Sequence, residues 1–167
     1  MTLAYIGIGG NLGRRELFLS SAKRRIEKGI GPIVTESSIY ETAAWGMENA
    51  PDFLNQVIAV STELTPNELL QACFKIERFL GRKRNSQAGY ASRTADLDIL
   101  HMEGIASNEV ALTLPHPNIA KRRFVLVPFS EIAPHLQLPG TSKSIADLLD
   151  ECEDYTEVTK WDYPTAI

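Results

Sequence analysis

The chain has 167 residues, 44% of them apolar and 23% charged, with a net charge of −4. That size and balance fit one globular domain over residues 1–167 with a sizeable core. The acidic total argues against a dedicated nucleic-acid or membrane-surface protein, whose partners reward a basic surface.

The opening MTLAYIGIGG has neither the basic start nor the cleavage site of a signal peptide. No apolar run reaches the roughly 18 residues needed to span a bilayer. Cys73 and Cys152 form no C-x-x-C pair, so buried, inert thiols in a reducing cytoplasm are expected. Residues 2–8 read as a strand, punctuated by Gly9 and Gly10. A helix over 14–28 follows, with Leu17, Phe18, Ala22, Ile26 and Ile30 at helical spacing. Residues 33–42 read as a second strand, 43–52 as a loop and 53–62 as a third strand. Thr65, Pro66 and Glu68 form a T-x-x-E start for a helix whose stripe is Leu69, Cys73, Ile76 and Leu80, closed by Gly81. A polar loop then leads into the strand RTADLDILHM, residues 93–102. A short apolar run near 110–114, the PHP of 115–117, RFVLVPFSEIAP and an amphipathic helix over 144–149 complete the order. Two β-α-β units in about 100 residues predict an α+β, ferredoxin-like βαββαβ core, mainly antiparallel, with helices packed on it and C-terminal additions.

Within the strand at 93–102, Asp96, Asp98 and Leu100 share one face, and Leu97 and Ile99 share the other. The second face supplies the core contact. The first carries two carboxylates about 6.5–7 Å apart, an arrangement that suits magnesium, which keeps waters and binds through one or two carboxylates together with substrate phosphates. The plain alternative is a solvated strand face paired with Arg93 or Lys83. Against it, Arg82, Lys83, Arg84 and Arg93 precede the pair, and guanidinium groups fork onto phosphate oxygens. GIGGNLG misses the dinucleotide fingerprint by one residue, and no G-x-x-x-x-G-K-[ST] occurs. Any phosphate chemistry must therefore rest on metal and arginines. Phe53 and Asn55 share a strand face, an aromatic surface beside an amide. Strand aromatics such as Phe53 and Phe124 would otherwise belong to the core.

PDFLNQV, IERFLGRKR, SRTADLDIL, LPHP and RRFVLVPFSEIAP stand in this order from about residue 51 to 134. Together with AYIGIGGNLG they resemble the 6-hydroxymethyl-7,8-dihydropterin pyrophosphokinase family of folate biosynthesis. The resemblance implies an enzyme that transfers the β,γ-pyrophosphoryl group of ATP to the hydroxymethyl of the pterin and releases AMP; a cytoplasmic monomer acting on these small molecules is expected. It implies that Asp96 and Asp98 hold two Mg²⁺ ions on the triphosphate, with Arg82, Arg84 and Arg93 at the phosphates. Glu77, His116 and Arg122 match nucleotide positions, although a mid-helix glutamate is commonly solvated. Thr42, Trp45, Phe53, Asn55 and Phe124 match pterin positions. Departures from the family pattern are Gly10 for serine, Ala43 and Ala44 for prolines, and a loop at 83–92 poorer in basic residues, with Tyr90 for tryptophan. These keep open a catalytically weak or silent pterin- or nucleotide-binding paralogue. Another magnesium-dependent phosphoryl or nucleotidyl transferase and an RNA-binding sheet are the remaining alternatives.

Overall fold

The computed structural model describes residues 1–44, 48–81 and 95–163. Its elements are β1 (Thr2–Gly10), α1 (Arg15–Gly29), β2 (Ile33–Glu36), β3 (Tyr40–Thr42), β4 (Phe53–Thr62), α2 (Pro66–Phe79) and β5 (Asp96–Met102). A small hairpin of β6 (Ser107–Asn108) and β7 (Thr113–Leu114) follows, then α3 (Arg123–Ile132), α4 (Ile145–Asp150) and β8 (Val158–Lys160).

The main sheet runs β5-β1-β4-β3-β8, with β2 also paired to β4. Every pairing in it is antiparallel. With β2 and β3 taken as one interrupted strand, the first five strands reproduce the ferredoxin-like order, so the predicted fold class holds. One β-rich run becomes two strands at Ser37. Its hydroxyl accepts from the Val57 N–H at 3.0 Å, and its carbonyl accepts from the Gln56 side chain at 2.7 Å. These bonds replace the regular ladder and let the chain turn.

α2 forms where its capping box predicts. Thr65 Oγ1 accepts from the Glu68 N–H, and the Glu68 carboxylate accepts in return from the Thr65 N–H. Gly81, at φ +86°, closes it in a conformation that glycine adopts without strain. α1 departs from its predicted stripe. Leu19, Ala22 and Ile26 are buried, whereas Leu17 is 48% exposed.

Helices cover both faces of the sheet. Ile6, Ile8, Leu54, Leu97 and Ile99 join Leu19, Ile26, Leu69 and Cys73 in one core beneath α1 and α2. Tyr5, Val57, Ala59 and Leu100 join Val125, Leu126, Phe129 and Ile145 in a second core beneath α3 and α4. Leu97 and Ile99 thus face one core and Leu100 the other, as strand alternation requires. The β1–β5 register pairs Ile6 with Ile99 and Tyr5 with His101, which leaves Leu100 as the extra residue of a bulge. Both cysteines are free and buried, and burial first, then Glu77 and Asp98, push the Cys73 thiol up to about 12. The expectation that both thiols are buried is borne out. No described helix is long and apolar enough to cross a membrane.

Candidate active site

The α3–α4 layer covers only part of its face of the sheet. Beside it lies a cleft of about 1290 Å³ that reaches α2 past the edge strand β5. Pockets for one small ligand are typically ~300–1,000 Å³, so this one has room for two. Asp96, Asp98, Glu77, His116, Arg122, Thr42, Phe53, Asn55 and Phe124 all line it. These are all of the predicted site residues that fall among the described ones. Arg82, Arg84, Arg93 and Trp45 lie outside the described residues.

At the polar end, Asp96 and Asp98 occupy alternate positions of β5 and are both partly exposed. The Arg122 guanidinium lies 4.0 Å from the Asp98 carboxylate and 5.9 Å from the Phe124 ring centre. Glu77 is 2% exposed, and its Oε1 accepts from the Leu97 N–H, between the two aspartates, at 2.9 Å. The solvated reading of Glu77 is therefore excluded. His116 is fastened to the same strand, because its N–H donates to the Leu100 carbonyl at 2.7 Å. Its Nδ1 accepts from the Asn118 N–H at 3.1 Å, which assigns the ring proton to Nε2 as a donor. Burial first and the Arg122 charge second hold its pKa below 6.5, against the opposing pull of Asp96. The ring is thus a neutral donor rather than a cation near pH 7.

At the other end, Asn55 Nδ2 donates to Thr42 Oγ1 at 3.0 Å. That bond fixes the orientation of the Asn55 carbonyl, which can accept, and leaves the Thr42 hydroxyl proton available to donate. Phe53 leads β4, and Phe124 sits in the first turn of α3 rather than on a strand. Both are partly buried, so neither is simply core.

Between the two ends runs β1. Its register places Gly9 opposite both Asn55 and Asp96, and Gly7 opposite both Val57 and Asp98. A Cβ on Gly9 would lie 2.5 Å from Asn55 Oδ1, so only glycine leaves room for that amide. GIGG reads in sequence as punctuation or a failed fingerprint; in the fold it is a bare strand under the cleft.

The donor set can be tested against a divalent cation. Among the described residues no group of three or more His, Cys, Asp or Glu side chains gathers to hold a metal. Two neighbouring carboxylates on an open cleft instead suit a hard cation that takes its other ligands from water and phosphate. The arrangement fits magnesium arriving with a nucleotide and does not fit a closed structural site.

Fold and site together define a ferredoxin-like α+β protein with a cleft that joins a carboxylate–cation end to an aromatic–amide end. The family model of 7,8-dihydro-6-hydroxymethylpterin-pyrophosphokinase (HPPK) matches residues 5–134, and the chain belongs to that family. It is 41% identical over 141 residues to the 2-amino-4-hydroxy-6-hydroxymethyldihydropteridine pyrophosphokinase of Methylorubrum extorquens, covering 84% of this chain and 88% of that one. Identity to the protein of the same name from Bacillus subtilis is 41% over 143 residues, covering 84% and 83% of the two chains. With that of Aquifex aeolicus it is 35% over 151 residues, covering 90% and 92%. Among solved structures, wild-type Plasmodium falciparum HPPK-DHPS with SDX-DHP superimposes with a TM-score of 0.70 at 16% identity. That match covers 90% of this chain and 43% of the solved one, so this chain spans less than half of that protein, and the likeness shows the fold.

Proposed function

We propose that this chain transfers the β,γ-pyrophosphoryl group of ATP to the hydroxymethyl oxygen of 6-hydroxymethyl-7,8-dihydropterin, a step of folate biosynthesis. The acceptor oxygen bonds to the β-phosphorus and gives up its proton to solvent, the bond from that phosphorus to the α,β-bridging oxygen breaks, and AMP leaves with that oxygen. One observation carries the reading: the carboxylate pair and the aromatic–amide pair open onto the same cleft. The family membership and the names of its relatives support it.

Asp96 and Asp98 would hold the magnesium, two ions on the resemblance of the motif. When bound, it would neutralise phosphate charge and align the phosphates with the acceptor. Arg122 and the neutral Nε2–H of His116 would bind phosphate oxygens, with Arg82, Arg84 and Arg93 completing the set on resemblance. Glu77 holds β5 so that both carboxylates keep their places. Phe53 and Phe124 offer flat surfaces for a pterin plate, with Trp45 assigned to the same pocket on resemblance. Asn55 and Thr42 offer an acceptor and a donor for its edge. Positioning and charge stabilisation carry the reaction, and little covalent chemistry falls to the protein. Such an enzyme works on small molecules as a cytoplasmic monomer, and the two buried free thiols suit that setting.

The test is incubation with ATP, magnesium and the hydroxymethylpterin. AMP and the pterin diphosphate are expected, and ADP would contradict the reading. Asp98→Ala should fold, because Leu97 and Ile99 keep their core contacts, and should form no AMP. Near-normal activity in that variant would sink the metal assignment.

A further inference from the structure

The family match ends at residue 134, yet the chain beyond it is fastened to the cleft at two points. α3 starts at Arg123 with Arg122 as its N-cap residue, and Arg122 makes no side-chain cap bond. The first N–H groups of a helix have no partner within it. Here the Arg123 N–H donates to Asp154 Oδ2 at 3.0 Å. The other carboxylate oxygen, Oδ1, accepts from the Thr156 N–H at 3.0 Å and from its hydroxyl at 2.6 Å. Both Asp154 oxygens are thus engaged by the protein itself. Burial opposes its charge, but the bonds from Thr156 and from the Arg123 N–H outweigh burial and hold its pKa below the usual carboxylate range.

A few residues further on, β8 pairs with β3, and Val158 stands opposite Thr42. The Trp161 N–H then donates to the Ile39 carbonyl at 2.8 Å. The Arg15 guanidinium lies 4.8 Å from the Trp161 ring centre, bonded to the Glu41 carboxylate and the Asp52 carbonyl at 2.7 Å each. One short segment therefore ties α3, which carries Phe124, to β3, which carries Thr42. These are the two walls of the acceptor end.

We propose that Asp154 is a positioning residue for the reaction, acting through the first turn of α3 to hold Arg122 against the nucleotide and Phe124 against the acceptor. The inference rests on the reading of the cleft given under Proposed function. Arg122 and Phe124 flank the capped amide on either side, so fraying of that turn moves both together. Asp154 lines the cleft as well, but each of its oxygens already accepts from the chain itself, so its part is to hold the turn rather than a substrate. Its loss should weaken two different ligands at once, an effect a residue in one pocket would not have.

The experiment compares Asp154→Ala, Asp154→Asn and, on the same segment, the exposed Glu157→Ala, at a temperature where circular dichroism shows each fully folded. In Asp154→Ala both KM values should rise about fivefold, the usual worth of a helix cap, with kcat within about twofold of wild type. Asp154→Asn keeps one acceptor oxygen for the Arg123 N–H and should recover most of the loss. Glu157→Ala should match wild type. In an Arg122→Ala background, Asp154→Ala should raise the KM for the pterin but add nothing to that for ATP. Unchanged KM values in Asp154→Ala, or a further rise for ATP in the Arg122→Ala background, would overturn the proposal alone. A wild-type chain that forms no AMP would overturn the cleft reading and the proposal with it.

Discussion

Glu77 of α2 accepts a hydrogen bond at 2.9 Å from the backbone N–H of Leu97, the residue that separates Asp96 from Asp98. β5 is an edge strand of the main sheet, and an edge presents backbone groups that need partners. A buried glutamate supplies one, and so fixes the strand at the point where its carboxylates must stay in place. Glu77→Ala should leave that N–H without its acceptor and cost about 1–3 kcal/mol in urea unfolding, with a larger relative loss of transfer activity. Glu77→Gln retains a carbonyl oxygen at the same place and should keep most of the stability. Equal stabilities for Glu77→Ala and wild type would show that the bond contributes nothing.

Gly9 makes a second, sharper prediction. A methyl group there would collide with Asn55 Oδ1 at 2.5 Å, whereas on Gly7 it would make ordinary contact with Leu100 at 3.8 Å. Gly9→Ala must push the amide aside and break its bond to Thr42, worth about fivefold in affinity. Calorimetric titration should show the pterin bound about fivefold more weakly and the nucleotide unaffected, with Gly7→Ala near wild type. In an Asn55→Ala background, Gly9→Ala should have little further effect.

The contact between Tyr40 and Glu131 ties β3 to α3 and carries a pH signature. The Tyr40 hydroxyl donates to Glu131 at 2.5 Å, and Ser38 donates to the same carboxylate through its N–H at 3.0 Å and its hydroxyl at 2.8 Å. Burial and then Glu131 push Tyr40 up to about 12. Glu131 is lowered from 4.5, because the bonds from Tyr40 and Ser38 outweigh its burial. A lowered carboxylate stabilises the fold above 4.5 and loses that contribution as pH falls through its folded value. A raised phenol stabilises below 10 and loses its contribution as pH rises through about 12. The gap in thermal midpoint between wild type and Tyr40→Phe should therefore be level from about pH 5 to 10 and narrow beyond either end. A gap of the same size at pH 3 would assign the stabilisation elsewhere.

The core elements were legible because each carries a local signal. The Thr65–Glu68 box and the apolar stripe after it mark α2, and alternation in DLDI, residues 96–99, separates the carboxylates from the core leucine and isoleucine. Elsewhere the deciding contacts are distant in the chain. The break between β2 and β3 depends on bonds from Ser37 to residues about 20 positions away. Glu77 reads as solvated until β5 is laid beside it. Leu17 and Leu19 both suit an amphipathic helix, and only the sheet decides that Leu19 is buried. β8 has three residues, too few for a periodic pattern, and Asp154 lacks the spacing of a local cap because it caps a helix 31 residues earlier.

Arg122 and Asp98 supply the last test. Their charged groups are 4.0 Å apart with side chains 24% and 40% exposed, so the pair is partly screened and worth at most about 1 kcal/mol. On the proposed reading of the cleft, the guanidinium would oppose entry of a cation at Asp98 in the absence of nucleotide, and would have phosphate to bind when ATP is present. Arg122→Ala should therefore bind Mn²⁺ alone as much as about fivefold more tightly, yet bind the metal–ATP complex more weakly. Asp98→Ala should weaken both. Opposite signs from two neighbouring substitutions distinguish competition at a metal site from a general loosening of the cleft, which would weaken every ligand in both variants. Titration of each variant with Mn²⁺, followed by water-proton relaxation with and without a non-hydrolysable ATP analogue, reads the two effects separately. If Arg122→Ala weakens Mn²⁺ binding in both states, the guanidinium does not compete with the cation, and its place beside Asp98 is structural.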